Sequence, residues 1–196
     1  RLLTVTGVQT CALPIWVSGL LSTVAGSPFA AGASPRAVTV DPTGRVVYVV
    51  NGISNDISVF TINRTTGALT VAGSPVAAGT TPVSITIDPT GRWAYVVNQG
   101  SSSLSVFAID SMTGALTAVG GPVATGGLPV SVNVDPSGRI VYVDYGNNSV
   151  SAFSIDSATG ALTVASSFGD VPPFGTIPPA IGFNPATLSF TAQQGG

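Results

Sequence analysis

The residue types that could do chemistry in this sequence occur at fixed positions of a repeat. Aspartate is followed four residues later by arginine in Asp41–Arg45, Asp88–Arg92 and Asp135–Arg139, and successive segments are 47 residues apart. A carboxylate can act as a general base, and a guanidinium can stabilise a developing negative charge. A catalytic site needs one such pair, whereas a repeating fold needs one in every repeat. The repetition therefore favours a structural role, in which each aspartate begins a β-turn.

Positions at which one repeat departs from the others are better candidates for a ligand site. The candidates are Arg36, where the other repeats have Val83 and Val130; Asp144, where they have Val50 and Val97; and Tyr145, where they have Asn51 and Asn98. A charge inside a valine-rich run costs free energy unless it is paired or solvated. We therefore expect Arg36, Asp144 and Tyr145 to form the ligand-binding positions of the chain.

Composition limits the remaining chemistry. The sequence contains no His, Lys or Glu, all six basic residues are Arg, and the formal net charge is −2 at pH 7. Asp is then the main acid–base side chain, and we predict no catalytic residue, no metal site and no cofactor. A chain that cannot assemble a basic patch is not expected to bind nucleic acid or an anionic membrane. No apolar run reaches the roughly 18 residues that a membrane span needs.

Each repeat has the pattern of four short β-strands separated by turns. In the first complete repeat the apolar runs are Ala37–Val40, Val46–Asn51, Ile57–Asn63 and Ala68–Ala72. Four strands at a period of about 40 to 50 residues match one blade of a β-propeller. The sequence therefore predicts an all-β fold, a partial β-propeller of three complete four-stranded blades with partial strands at both ends. The alternative is a β-sandwich, but its strands have no reason to repeat in sequence.

The repeat divides the chain into three parts. Residues 1–15 resemble the translation of a sequencing adapter, so we exclude them, and with them the single cysteine, Cys11, from the analysis of the fold. Residues 16–176 are predicted to form the partial propeller. Residues 177–196 have two interpretations: a truncated fourth blade, or the start of a β-sandwich module that resembles bacterial immunoglobulin-like domains of the BACON type. The predicted blades are residues 35–81, 82–128 and 129–175.

Two repeated motifs resemble those of a known family. The turn Asp-Pro-Thr/Ser-Gly-Arg is followed in every repeat by Thr-Gly-Ala-Leu-Thr, which occurs at Thr66–Thr70, Thr113–Thr117 and Thr159–Thr163. Over residues 19–175 the chain is similar to the lactonase family of seven-bladed β-propellers, which includes 6-phosphogluconolactonase-like and carboxymuconate-cyclase-like proteins. The resemblance implies a seven-bladed parent of which this chain carries fewer than half the blades. The His and Glu that such a resemblance suggests for catalysis have no counterpart in this sequence.

These observations lead to two functional hypotheses. The first is a propeller segment of a larger exported protein, acting as a binding or scaffold module without catalysis of its own. The second is a fragment of a lactone hydrolase whose active residues lie on other blades. The expected partners are a small molecule, a carbohydrate or a protein, together with the remaining blades of the same parent chain. Few charges and many Thr, Ser, Gly and Asn residues predict an extracellular, periplasmic or cell-surface location in a bacterium.

Overall fold

The computed structural model describes residues 22–168, which form three antiparallel β-sheets and contain no helix. Each sheet is one blade. Blade 1 consists of β1 (Pro35–Val40), β2 (Val46–Asn51), β3 (Asp56–Ile62), β4 (Leu69–Val71) and β5 (Val76–Ala77). Blade 2 consists of β6 (Pro82–Ile87), β7 (Trp93–Asn98), β8 (Ser103–Ile109), β9 (Leu116–Ala118) and β10 (Val123–Ala124). Blade 3 consists of β11 (Ser131–Val134), β12 (Ile140–Asp144), β13 (Val150–Ile155) and β14 (Leu162–Phe168).

Consecutive strands pair as neighbours, so every blade is a meander. In blade 1 the central strand β2 pairs with β1 and with β3, and Tyr48 lies between Thr39 and Val59. All six residues of β2 are buried. A strand that is covered on both faces can be apolar throughout, which explains why β2 and β7 show a continuous apolar run in place of alternation.

The outer strand of blades 1 and 2 is interrupted. Both β4 and β5 pair with β3, and both β9 and β10 pair with β8. In blade 3 the single strand β14 runs along β13, with a register shift between Ala152 and Phe153. The sequence pattern predicted one outer strand per repeat and missed β5 and β10. Each has two residues, which is too short for an apolar periodicity to be visible.

The blades pack face to face around their first strands. Strand β1 contacts β6, and β6 contacts β11, so the first strand of each blade lies nearest the common axis. One apolar core fills the space between blades 1 and 2, and it includes Tyr48, Val50, Val96 and Phe107. A second core fills the space between blades 2 and 3, and it includes Tyr95, Leu104, Val141 and Phe153. The predicted partial all-β propeller is confirmed.

Two of the predicted segments, residues 1–15 and 177–196, lie outside the described residues. Within residues 22–168, no helix has the length and apolar character that crossing a bilayer requires.

Candidate functional site

Each blade has two ends that differ in chemistry. At the end called here the turn end, the loops Asp41–Arg45 and Asn63–Gly67 of blade 1 join β1 to β2 and β3 to β4. At the opposite end, called here the connection end, Gly52–Asn55 joins β2 to β3 and Ala78–Thr81 leads to blade 2. The other blades repeat this arrangement, so the repeated aspartates all lie at the turn end.

In each Asp-Pro-Thr/Ser-Gly-Arg turn, the carboxylate binds the backbone of its own loop. Asp41 Oδ1 accepts hydrogen bonds from the backbone N–H groups of Arg45 and Val46 at 2.6 and 2.7 Å. Asp41 Oδ2 accepts from the backbone N–H of Thr43 at 3.1 Å and from its hydroxyl. Asp88 and Asp135 accept the same four bonds. The β-turn predicted to begin at each of these aspartates is confirmed.

These hydrogen bonds make the carboxylates of Asp41 and Asp135 weaker bases. The Ser137 hydroxyl and the Ile140 backbone N–H lead the interactions that lower the pKa of Asp135 from 3.8 to about 2. At Asp41, burial raises the pKa, but the hydrogen bonds of the turn, led by the Thr43 hydroxyl, outweigh burial and lower it overall. Hydrogen bonds to the charged form stabilise it and reduce its proton affinity. Asp41 and Asp135 are therefore poorly suited to remove a proton near neutral pH.

The arginine of the same turn reaches the next blade. Arg92 Nη2 in blade 2 donates to the backbone oxygen of Ser157 in blade 3 at 2.7 Å. Arg45 Nη2 in blade 1 donates to the equivalent backbone oxygen of Ser111 in blade 2. These bonds hold the turn of one blade against the turn between the third and fourth strands of the following blade, so Arg45 and Arg92 join blades.

The tyrosine of the second strand lies in the same contact between blades. Tyr48 is fully buried, and its hydroxyl donates to the backbone oxygen of Gly114 at 2.8 Å. Burial, followed by the nearby charge of Asp41, raises the pKa of Tyr48 to about 12. Tyr95 is equally buried, and burial also raises its pKa. Both hydroxyls therefore stay protonated over the physiological pH range, and the Tyr48 hydroxyl serves as a structural donor.

At the connection end, a buried asparagine joins the blades, a role that the sequence analysis missed. Asn98 Oδ1 accepts from the backbone N–H of Gly79 at 3.0 Å, and its Nδ2 donates to Ser105 Oγ at 2.9 Å. Asn51 occupies the same position in blade 1 and donates to Asp56 Oδ1 at 2.7 Å and Ser58 Oγ at 2.9 Å. The visible signal was an asparagine placed directly after an apolar run in two repeats.

Tyr145, one of the predicted ligand residues, stands at this asparagine position in blade 3. Its hydroxyl donates to the backbone oxygen of Thr125 at 2.5 Å. Thr125 belongs to the segment that leads from blade 2 to blade 3, as Ala78–Thr81 leads from blade 1 to blade 2. Tyr145 thus joins two blades through a hydroxyl where Asn98 does so through an amide. Its ring is half-buried beside the second apolar core.

The other two predicted ligand residues are exposed at the connection end. Asp144 ends β12, and its Oδ1 accepts from the backbone N–H of Gly146 at 2.8 Å. Arg36 lies in a β-bulge of β1, with its side chain beside Gly52. The structure places all three residues at the same end of the sheets. Asp144 and Tyr145 are on blade 3, whereas Arg36 is on blade 1.

A cavity that the sequence did not predict opens at the connection end. It has a volume of about 430 Å³ and lies where the segment after blade 1 meets the β7–β8 turn and the outer strand of blade 2. The lining residues are Gly79, Thr80, Ser101, Ser102, Ser103, Pro122 and Ala124. The hydroxyl groups of Thr80 and of Ser101, Ser102 and Ser103 line this cavity beside a larger apolar surface. Residues 22–168 contain no group of three or more His, Cys, Asp or Glu residues that could hold a metal ion.

The fold and the contacts between its sheets define an arc of a β-propeller. A family model described as lactonase, 7-bladed beta-propeller, matches residues 17–177. The chain belongs to this family. No curated protein matches the sequence.

Solved structures with the same fold include several bacterial proteins. A candidate 6-phosphogluconolactonase from Bacteroides fragilis has 28% identity and a TM-score of 0.64, over 70% of this chain and 39% of that chain. A functionally unknown protein from Desulfotomaculum acetoxidans has 25% identity and a TM-score of 0.64, over 71% and 44%. A periplasmic gluconolactonase from Pseudomonas aeruginosa has 24% identity and a TM-score of 0.62, over 71% and 41%, and this likeness shows the fold alone. The chain therefore spans less than half the length of these structures.

Proposed function

We propose that the chain is a segment of a larger lactonase-family propeller, and that it serves as a binding or scaffold module without catalysis of its own. The main support for this proposal is that the repeated aspartate side chains, and two of the repeated arginine side chains, make structural hydrogen bonds. The carboxylates of Asp41, Asp88 and Asp135 each accept four hydrogen bonds within their own turns. The matching Arg45 and Arg92 bind the next blade.

The same proposal assigns ligand recognition to the connection end. Arg36, Asp144 and Tyr145 lie there, as does the hydroxyl-lined cavity at Thr80 and Ser101. The exposed guanidinium of Arg36 is suited to a carboxylate or phosphate group, because its planar donors match two acceptor oxygens. A small acidic molecule, a carbohydrate or a protein loop that carries such a group fits this end of the sheets.

The binding part of the proposal is tested with sugar acids. Isothermal titration of the whole chain with gluconate and with 6-phosphogluconate should give a measurable affinity that Arg36→Ala removes. Arg64→Ala is the matched control, because Arg64 lies at the turn end and donates to the Thr43 backbone oxygen at 2.6 Å. Equal loss of binding in both variants would place recognition elsewhere and contradict a site at the connection end.

The alternative is a lactone-hydrolase fragment. The 28% identity with the candidate 6-phosphogluconolactonase from Bacteroides fragilis favours this reading. Asp144 is the carboxylate that a hydrolytic role would use, because it accepts one hydrogen bond, from Gly146, where each turn aspartate accepts four.

A hydrolysis assay tests whether this chain has catalytic activity of its own. We expect the chain to hydrolyse gluconolactone and 6-phosphogluconolactone at the rate of buffer alone, measured by base consumption at constant pH. Turnover that Asp144→Asn abolishes and Asp110→Asn leaves intact would establish the hydrolase and make Asp144 the general base. Asp110 is the control because its carboxylate binds its own turn at Met112 and Thr113.

An exported location belongs to the same proposal. It is supported by the composition of the chain, of which 7% is charged and from which Lys and Glu are absent. Fractionation of a bacterium that carries the full parent gene would test this location, and recovery in the cytoplasm would contradict it.

A further inference from the structure

The turn between the second and third strands of blade 2 differs from the equivalent turn of blade 1. Ser102 and Ser103 stand where blade 1 has Asn55 and Asp56. The alignment is fixed by the strand pairing, because Ser103 and Asp56 each pair with the last residue of the preceding strand. An amide and a carboxylate are thus replaced by two uncharged hydroxyl groups.

In blade 1 the fold itself uses both polar side chains of this turn. Asn55 Oδ1 accepts a hydrogen bond from the backbone N–H of Thr81 at 2.7 Å, and Asp56 Oδ1 accepts from Asn51 Nδ2 at 2.7 Å. A serine is too short to repeat the link that Asn55 makes with the following segment. The substitution in blade 2 therefore releases a polar group from a structural role.

The serines of the blade 2 turn divide into two that hold the turn and one that is free. Ser101 Oγ and Ser103 Oγ lie 2.9 Å apart. Ser101 Oγ accepts from the backbone N–H of Thr80, and Ser103 Oγ accepts from Asn98 Nδ2, both at 3.2 Å. Within residues 22–168 the hydroxyls of Ser102 and Thr80 have no such partner, so both are available to a ligand.

These hydroxyls line the cavity of about 430 Å³ at the connection end, together with Gly79, Pro122 and Ala124. Its volume lies within the range of about 300–1,000 Å³ that is usual for small-molecule sites. All of the lining comes from blade 2 and from the segment that leads into it, and blade 2 has a neighbouring blade on both sides. The cavity is therefore independent of the outer faces of blades 1 and 3.

The lining combines hydroxyl groups with apolar atoms and contains no charged side chain. A hydroxyl can both donate and accept a hydrogen bond, so it can pair with the hydroxyl of a sugar in either direction. The apolar surface beside the hydroxyls, to which Pro122 and Ala124 contribute, suits the carbon-bound hydrogens of a pyranose ring. A charged group would lose water here without gaining a countercharge. The chemistry of the lining therefore favours a neutral sugar.

We propose that this cavity binds a neutral monosaccharide, with the hydroxyls of Thr80 and Ser102 paired to the sugar and its apolar face against Pro122 and Ala124. This inference rests on the proposed ligand recognition at the connection end. It adds an uncharged sugar to the anionic group assigned to Arg36, and the two ligands occupy separate positions.

The backbone of Ser102 supplies two variants that preserve the fold. Its φ is +46°, and the equivalent Asn55 has φ +59°. Glycine adopts positive φ without steric cost, and asparagine is enriched there. Ser102→Gly therefore removes the hydroxyl alone, whereas Ser102→Asn restores the residue of blade 1 and places a larger side chain in the cavity. Thr80→Ala restores the Ala33 of blade 1 in the same way.

Two-dimensional amide NMR of the whole chain tests the proposal with three neutral hexoses, D-glucose, D-galactose and D-mannose. Because few hydrogen bonds hold the sugar, we expect a millimolar dissociation constant, and each hexose is titrated to about 100 mM. At least one should give saturable shifts at the amides of Thr80 and Ser102. Ser102→Gly and Thr80→Ala should each raise its dissociation constant about threefold to tenfold, and Ser102→Asn should abolish binding. Thr117→Ala is the matched control, since Thr117 is exposed on β9 of the same blade and lies outside the lining.

Arg36→Ala separates this inference from the proposed function. It should remove gluconate binding and leave the hexose titration unchanged. Retained gluconate binding with no saturable hexose shift overturns the sugar site alone. Hexose binding that Arg36→Ala removes, or that Ser102→Gly and Thr80→Ala both leave intact, also overturns a sugar site in this cavity. Hexose binding that persists where gluconate fails to bind supports the sugar site and contradicts only the role of Arg36.

Discussion

Two buried tyrosines at equivalent positions differ in their hydrogen bonds, and this difference predicts that the same substitution will destabilise the fold at one position and be close to neutral at the other. The Tyr48 hydroxyl donates to the Gly114 backbone oxygen at 2.8 Å inside the contact between blades 1 and 2. Tyr48→Phe removes the donor and leaves that buried carbonyl without its partner. Losing one partner of a buried hydrogen bond costs about 1–3 kcal/mol. We therefore expect Tyr48→Phe to lower the free energy of unfolding by about this amount.

Tyr95 supplies the matched comparison. It is as buried as Tyr48, but its hydroxyl has no hydrogen-bond partner among the described residues. Tyr95→Phe removes a buried polar atom without breaking a bond, and the apolar replacement has the same ring. A change of this kind is close to neutral or slightly stabilising. We expect the stability of Tyr95→Phe to lie within about 0.5 kcal/mol of the wild type or above it.

Urea unfolding followed by circular dichroism measures both effects. If the wild type, Tyr48→Phe and Tyr95→Phe unfold with similar m-values, the difference in urea midpoint reports the difference in the free energy of unfolding. Tyr142→Phe is the exposed control, since the Tyr142 side chain is 39% exposed, and it should leave the midpoint unchanged. Equal destabilisation by Tyr48→Phe and Tyr95→Phe would refute the reasoning, because the bond to Gly114 would then contribute nothing beyond the burial of the ring.

Two further predictions concern the turn end. Gly114→Ala should destabilise the chain by about 1–3 kcal/mol more than Gly120→Ala. Both glycines have positive φ, but a Cβ at Gly114 would lie 2.6 Å from the Val46 side chain, whereas a Cβ at Gly120 would have no neighbour within 4 Å. Similar urea midpoints for the two variants would contradict this prediction. The lowered pKa of Asp135, about 2 against 3.8, stabilises the fold above pH 4, and this stabilisation is lost as the pH falls from about 4 to about 2. Asp135→Asn should make the free energy of unfolding less dependent on pH between about pH 4 and about pH 2. A variant with the same pH dependence as the wild type would contradict this prediction.

The repeat made the fold predictable. Each blade must supply the same turn and the same central strand, so residues such as Asp41 and Tyr48 return at fixed spacing and disclose the period. The sequence did not disclose β5 and β10, because two-residue strands are held by pairing with a longer strand and not by their own pattern. It also did not disclose that Val38 is 66% exposed whereas the equivalent Ile85 is 7% exposed, because burial at this position depends on the packing of neighbouring blades.

The candidate site was less predictable. The sequence shows at which positions one repeat differs from the others, but it does not show what the differing residue contacts. Arg36, Asp144 and Tyr145 do lie at one end of the sheets, but Arg36 is on a different blade from the other two. The linking role of Asn98 depends on its contact with Gly79, which is 19 residues away in sequence. Only the folded chain brings such groups together.

Tyr145 shows how a departure from the repeat can preserve a structural role. Its hydroxyl binds the Thr125 backbone oxygen at 2.5 Å, and so joins blades 2 and 3 where Asn98 joins blades 1 and 2. If this link stabilises the fold, Tyr145→Phe should lower the urea midpoint without any ligand present, by an amount that corresponds to about 0.5–1.5 kcal/mol for one hydrogen bond. Tyr142→Phe, three residues earlier at a side chain that is 39% exposed, serves as the control. An unchanged midpoint together with a lost affinity for gluconate would instead make Tyr145 a ligand residue, since a group that acts only in recognition contributes nothing to the stability of the free chain.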